Sequence, residues 1–246
     1  MIIGSNIFFY DHLPSTNSEA ARLLKESSLN EGVVICAGYQ SAGRGQKDNK
    51  WESEEYKNLL ISIILFPEII GPEKQFLISE TISLGICDFL LRHTPVCSIK
   101  WPNDIYVNND KIAGVLIENS IMSGIIEYSI AGIGLNINQE TFLSDAPNPV
   151  SLRKVTGVTY GIQTCLNQLV SDLDIRYKQL LSEDWSKIRS DYISKLYRLR
   201  TWNEYADQDG QFSGRIESVA DEGTINISRR NGLIKNYGFK EVAFIP

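Results

Sequence analysis

Two short β-branched runs, Val33-Val34-Ile35-Cys36-Ala37 and Asn58-Leu59-Leu60-Ile61-Ser62-Ile63-Ile64-Leu65, read as buried strands. Between them lies Gln40 to Trp51, with two glycines, one arginine, two lysines and almost nothing apolar. A loop of about a dozen residues inside a compact domain is usually functional or disordered. Glycine lets a backbone approach a ligand closely, and the cations suit phosphate or carboxylate. The expectation is a loop that cradles an anion. A solvated basic loop on a β-hairpin stays open from this stretch alone.

At 246 residues the chain can hold one large domain, or one domain plus a small one. Its net charge of −6 argues against a non-specific nucleic-acid binder. Cys36, Cys87, Cys97 and Cys165 have no paired spacing, so neither a zinc site nor a disulfide framework is expected. No apolar run approaches a membrane span, and the first residues do not read as a signal peptide. These features predict a cytoplasmic protein without membrane or nucleic-acid partners.

In order, the pattern predicts a strand over 6–10, then a helix opened by Ser15-Thr16-Asn17-Ser18-Glu19. Thr16 and Glu19 have capping-box spacing, and a helix N-terminus is also an anion site. Pro72 opens a long helix with one apolar face through Leu77, Ile78, Ile82, Ile86, Phe89 and Leu90. Strands follow over 96–101, 112–118 and 125–138, the last carrying Gly132 and Gly134, which mark a bulge or a close backbone approach. Helices are predicted over 161–181 and 185–196. From 211 onward, short strands separated by Glu222-Gly223 and Asn231-Gly232 indicate a small all-β module.

Lys100-Trp101-Pro102-Asn103-Asp104 places a lysine at the end of an apolar strand, where a structural ion pair or an aimed point charge would explain it. At this stretch the chain resembles the biotin protein ligases, the biotin–[acetyl-CoA-carboxylase] ligases. The resemblance rests on Ser15-Thr16-Asn17, Gln40 with Gly43-Arg44-Gly45 and Trp51, Lys100 to Asp104, Lys111-Ile112-Ala113-Gly114, and Gly132-Ile133-Gly134-Leu135-Asn136. Each motif is weak alone; together and in order they are specific, and they cover nearly the whole chain.

The resemblance implies an α+β fold: a catalytic domain with a mixed sheet flanked by helices, of the class II synthetase-like or biotin–lipoate ligase kind. A small C-terminal SH3-like β-barrel follows, with the division at 1–196 and 197–246. It implies activation of biotin by ATP as biotinyl-5′-AMP with Mg²⁺, then transfer to a lysine of a biotin carboxyl carrier domain. Lys100 and Arg44 take the catalytic roles. Ser15, Thr16, Asn17, Gln40, Gly43, Gly45, Gln46, Gly114, Gly132 and Gly134 join them around biotin. Lys47, Trp51 and Asn136 are carried over as nucleotide contacts, and no protein-held metal site is expected.

Two departures stand out. Many relatives have an arginine where this chain has Gln46, which implies looser retention of the intermediate. No N-terminal DNA-binding domain is expected ahead of Ser15. A homodimer through Ile61 to Leu65 or Ile125 to Ile130 stays open. So do a lipoate–protein ligase, a non-catalytic biotin or nucleotide sensor, and a carrier-binding adaptor.

Overall fold

The computed structural model describes residues 1–46, 49–144 and 147–245. Its main layer is a seven-stranded sheet in the order β1-β2-β3-β7-β6-β5-β4. The strands are β1 (Ile7–Leu13), β2 (Val34–Gln40), β3 (Leu59–Leu65), β4 (Ser98–Lys100), β5 (Asp104–Val107), β6 (Asp110–Met122) and β7 (Ile125–Leu135). Only β1 and β2 run parallel; the other neighbours are antiparallel. The sheet is therefore mixed, as expected. The Asn108-Asn109 and Ser123-Gly124 turns join β5 to β6 and β6 to β7, with Asn108, Ser123 and Gly124 at positive φ.

One face of this sheet carries the principal core. Val34, Cys36, Ile61, Ile63, Ile133 and Val115 point into it and meet α2 (Phe76–Leu90), α4 (Ile162–Leu181) and α5 (Trp185–Ser194). The sequence predicts one buried face for α2, but the helix is buried nearly all round, Glu80, Thr81 and Ser83 included. It is apolar at most positions because it lies between the sheet and two further helices, so no side is left for water. A 3₁₀ turn over Pro72–Lys74 precedes it, where a single long helix is expected.

The opposite face is only partly covered. α1 (Thr16–Glu26) packs Ala20 on Val33, Ile35, Ile64 and Ile130 and leaves the rest of that face to a recess. Strand β3 is paired on both sides, by β2 and β7, so Ile61 to Leu65 offers no free edge for a dimer. The β3 ladder on β7 stops at Ser129, which leaves the β3 side of Ile125 to Tyr128 unpaired by it.

After a short helix that the pattern does not reveal, α3 (Leu152–Thr156), and then α4 and α5, the chain forms a five-stranded antiparallel sheet. Its strands are β8 (Trp202–Asp207), β9 (Gly210–Val219), β10 (Ile225–Arg229), β11 (Ile234–Tyr237) and β12 (Ala243–Phe244). This is the expected small β module, with β8 added. Tyr205, Ile216, Ile225 and Tyr237 belong to the same buried cluster as the main core. Trp101 Nε1 donates to the Gly223 carbonyl at 2.8 Å across the junction. No helix among the described residues is long and apolar enough to cross a membrane.

Candidate active site

Register brings the glycines together. Gly114 of β6 stands opposite Gly134 of β7, and Gly132 pairs with Leu116 and with Ser62 of β3. Because side chains alternate across a strand, these positions share the open face. Their missing Cβ atoms define a floor. A Cβ at Gly132 would lie 2.2 Å from Asn17 Oδ1, and one at Gly134 would lie 2.3 Å from Trp51 Cε2. The close approach expected of strand glycines is the one found; the β6–β7 register shift sits elsewhere, at Ser120/Ile121.

Above the floor is a slot of about 200 Å³. Ser15, Thr16, Asn17 and Gln40 line it together with Arg44, Gly45, Gln46, Lys50 and Lys111. Ser15 is the N-cap of α1, yet its side chain makes no cap bond. Thr16 and Asn17 do not cap either. Thr16 N and Oγ1 lie 2.7 and 3.0 Å from Gln40 Oε1. Asn17 Nδ2 donates to Glu118 Oε2 at 2.7 Å, and Ser62 Oγ lies 2.5 Å from Asn17 Oδ1. The capping-box reading fails here because these side chains turn inward to the sheet, and Glu19 pairs with Arg22 instead. The functional reading of the three residues gains by that.

The glycine loop folds back on itself. Trp51 N donates to Gly43 O, Gly45 N to Asn49 O, and Arg44 bridges to Lys50. It thereby lays the Trp51 indole on Gly114 and Gly134. A Cβ at Gly43 would lie 2.5 Å from Trp51 O, so this turn requires glycine. Trp51 Nε1 is buried without a partner among the described residues. On the far side of Trp51 a broader recess of about 1260 Å³ opens, bordered by Arg44, Lys50, Lys57, Asn138 and Gln139. Lys47, expected as a nucleotide contact, lies outside the described residues.

Lys100 is not on the wall of either recess. Its Nζ donates to Tyr106 OH at 3.0 Å and lies 5.1 and 5.3 Å from the Tyr106 and Phe244 ring centroids. Burial pulls its pKa down, against the Asp104 carboxylate. Lys50 and Lys111 line the slot, and Lys111 is held by Asp104 Oδ1 at 2.7 Å, with its Nζ 5.7 Å from the Trp51 ring centroid. Asn136, expected near the nucleotide, is buried with Nδ2 on Val150 O and stands on neither wall; Oδ1 has no partner among the described residues.

Sequence reasoning gave no role to Lys111, Lys50, Lys57, Ser62 or Glu118. Lys111 carries a signal in hindsight: it stands three residues ahead of a slot glycine, at the start of a hairpin strand. Ser62 and Glu118 carry none, since only strand pairing sets them beside the floor.

A glycine floor, polar side chains and cations thus surround a slot that adjoins a second, broader recess. The sequence model of the biotin/lipoate A/B protein ligase family matches residues 9–136. The chain belongs to this family. It is 27% identical over 244 residues to the bifunctional ligase/repressor BirA of Bacillus subtilis, covering 96% of this chain and 73% of that protein. It is 27% identical over 218 residues to the biotin–[acetyl-CoA-carboxylase] ligase of Paracoccus denitrificans, covering 86% of this chain and 89% of that protein. Among solved structures it is similar to the biotin protein ligase from Aquifex aeolicus in complex with biotin and ATP. That match has 25% identity and a TM-score of 0.80, and covers 97% of this chain and 98% of the other. The family spans both biotin and lipoate ligases, and the lining of the slot bears on which acid is taken.

Proposed function

We propose that this protein is a biotin protein ligase, which activates biotin with ATP as biotinyl-5′-AMP and transfers it to a lysine of a biotin carboxyl carrier domain. The observation that carries this is the set of side chains around the glycine floor: the polar Ser15, Thr16, Asn17 and Gln40 together with the cations Arg44, Lys50 and Lys111. A ureido ring has N–H and C=O groups to match the polar side chains. A dithiolane ring has none, and would leave buried polar side chains without recognition.

In the first step the biotin carboxylate oxygen attacks the α-phosphorus, and the bond to pyrophosphate breaks. Two anions must meet, so the site has to stabilise negative charge on the transferring phosphoryl group. Arg44, Lys50 and Lys111 are the cations lining the slot, and Arg44, Lys50 and Lys57 border the recess where a triphosphate would lie. In the second step the carrier amine attacks the acyl carbon, loses a proton, and AMP departs with the acyl–oxygen bond. The chain needs no covalent nucleophile for either step; positioning and charge suffice.

Among the described residues no three His, Cys, Asp or Glu side chains are grouped to hold a metal. A Mg²⁺ carried on the nucleotide would be held mainly by the substrate phosphates, as that ion commonly is, with few protein ligands. When bound it neutralises charge on the triphosphate. Residues 1–196 would form the biotin- and ATP-binding unit and 197–246 a second unit. The four free cysteines suit a reducing cytoplasm.

The test is pyrophosphate exchange into ATP with biotin or lipoate, followed by carrier labelling. Exchange that depends on biotin, with a labelled carrier lysine, is expected. Exchange driven by lipoate alone would make the chain a lipoate ligase; biotin binding without exchange would make it a sensor.

A further inference from the structure

Glu118 stands outside the roles given so far, yet its carboxylate joins two groups of the slot. Oε2 accepts from Asn17 Nδ2 at 2.7 Å and from Arg44 Nη2 at 3.0 Å. Asn17 is 3% exposed, while Glu118 and Arg44 are 39% and 46% exposed at their side chains. The two bonds therefore differ in kind. An ion pair this open contributes little, so an incoming carboxylate or phosphate can take the guanidinium. The bond to Asn17 is buried at its donor end, and losing it strands a polar group.

The direction of that buried bond has a consequence. A carboxylate only accepts hydrogen bonds. It therefore draws the amide nitrogen of Asn17 toward itself. The second Nδ2 hydrogen goes toward the Leu116 carbonyl at 3.3 Å. Both amide hydrogens are consumed, and Asn17 has only Oδ1 left to present. Ser62 Oγ has one proton, shared between that oxygen at 2.5 Å and Thr16 Oγ1 at 2.7 Å, so Oδ1 receives at most one hydrogen bond from it and keeps at least one lone pair. The same oxygen lies against Gly132, where any side chain would displace it.

We propose that Glu118 is a positioning residue: by consuming the Asn17 amide hydrogens it leaves the slot an acceptor, and so makes it select a ring that bears N–H donors. The inference rests on the reading of the slot as the biotin site. It adds a specificity determinant that touches the ligand only through Asn17. Glutamine at 118 keeps an acceptor oxygen and loses the charge; alanine loses both. The pair separates the Asn17 bond from the Arg44 ion pair.

The experiment measures biotin-dependent pyrophosphate exchange for the full chain, Glu118→Gln, Glu118→Ala and Asn17→Ala, and for Asn17→Ala combined with Glu118→Gln and with Glu118→Ala. Wild-type exchange is read first; its absence would count against the biotin reading itself. Relative to Glu118→Gln, Glu118→Ala should raise KM for biotin roughly tenfold, the factor for one lost bond to a charged or buried group, with kcat changed less than about threefold. In the Asn17→Ala background the Glu118→Ala effect should vanish. Equal KM values for the Gln and Ala variants, or an undiminished effect without Asn17, would overturn the proposal. Unchanged unfolding midpoints check that alanine at this half-exposed position leaves the fold intact.

Discussion

Trp51 lies flat enough on the floor of the slot that a Cβ at Gly134 would come within 2.3 Å of its Cε2 and 2.6 Å of its Nε1. The indole is not the far end of a flexible chain, so it cannot yield without the loop that carries it. It also divides the slot from the broader recess, because it borders both. Gly134→Ala should displace it while leaving the core face of the sheet untouched. The expected result is a fall of at least tenfold in kcat/KM for exchange, about 1.4 kcal/mol, with KM raised for both biotin and ATP. A shift in tryptophan emission should accompany it. Wild-type kinetics would mean that the indole's place on the glycine does not matter for the reaction.

Lys111 and Lys100 compete for the role of the charge on the transferring group. The resemblance points to Lys100, while the geometry favours Lys111, which is the one of the two on the slot wall; each already has a partner, Tyr106 OH for Lys100 and Asp104 Oδ1 for Lys111. Lys111→Ala should lower the rate of biotinyl-AMP formation in a single turnover by about 10²–10³, the range seen when one preorganised donor is removed. Lys100→Ala should cost less than tenfold and act mainly on stability. The reverse ranking would return the role to Lys100.

Much of this molecule is legible in its sequence because its strands are β-branched and its turns are punctuated. The flanking runs at 33–37 and 58–65 and the hairpin turns at 108–109 and 123–124 are local signals. Gly132 and Gly134 announce a close approach by lacking a side chain in a strand. The partners of that approach, Asn17 and Trp51, are 115 and 83 residues away in sequence. No local pattern contains such pairings. Thr16 misleads for a related reason: its spacing from Glu19 suits a capping box, but Gln40 Oε1 at the end of β2 takes its N–H and its hydroxyl. In α2 the periodic stripe is real, and burial on the remaining sides comes from α4 and α5, which the helix's own sequence does not encode. In the Lys100 stretch the tryptophan and asparagine serve the fold. Trp101 reaches Gly223, and Asn103 donates to the Val115 carbonyl.

Gln46 borders the slot where many relatives have an arginine, and it brings no charge there. Arginine would add a fork able to bind a phosphate through two donors. Gln46→Arg should therefore slow release of biotinyl-AMP, by roughly tenfold for a charge-assisted bond. Arg44→Ala should do the opposite and raise KM for biotin. Dissociation of labelled intermediate from the two variants measures both effects, and equal off-rates would remove these two residues from retention.

Glu80 offers a test of the junction between the two sheets by pH. It is fully buried on α2, with Oε1 accepting from Arg189 Nη1 at 2.5 Å and Oε2 unpartnered among the described residues. Arg189 in turn reaches Asp221 at 2.6 Å, in the turn after β9. Burial pushes the Glu80 carboxyl from its ordinary 4.5 up to about 7, against the pull of Arg189. Between those pH values the folded chain keeps a proton that the unfolded chain has released. The unfolded state then binds fewer protons, so this contribution to stability is whole below about 4.5 and falls as pH rises toward 7. Above 7 the loss is complete and constant. Its size is on the order of 3 kcal/mol at most, or several degrees in Tm for a chain of this length. Glu80→Gln carries no ionisation, so its Tm should gain on the wild type steadily from pH 5 to pH 7 and hold that gain beyond. A gap that stays constant across the range would mean that Glu80 is ionised throughout and that its pairing with Arg189 outweighs burial.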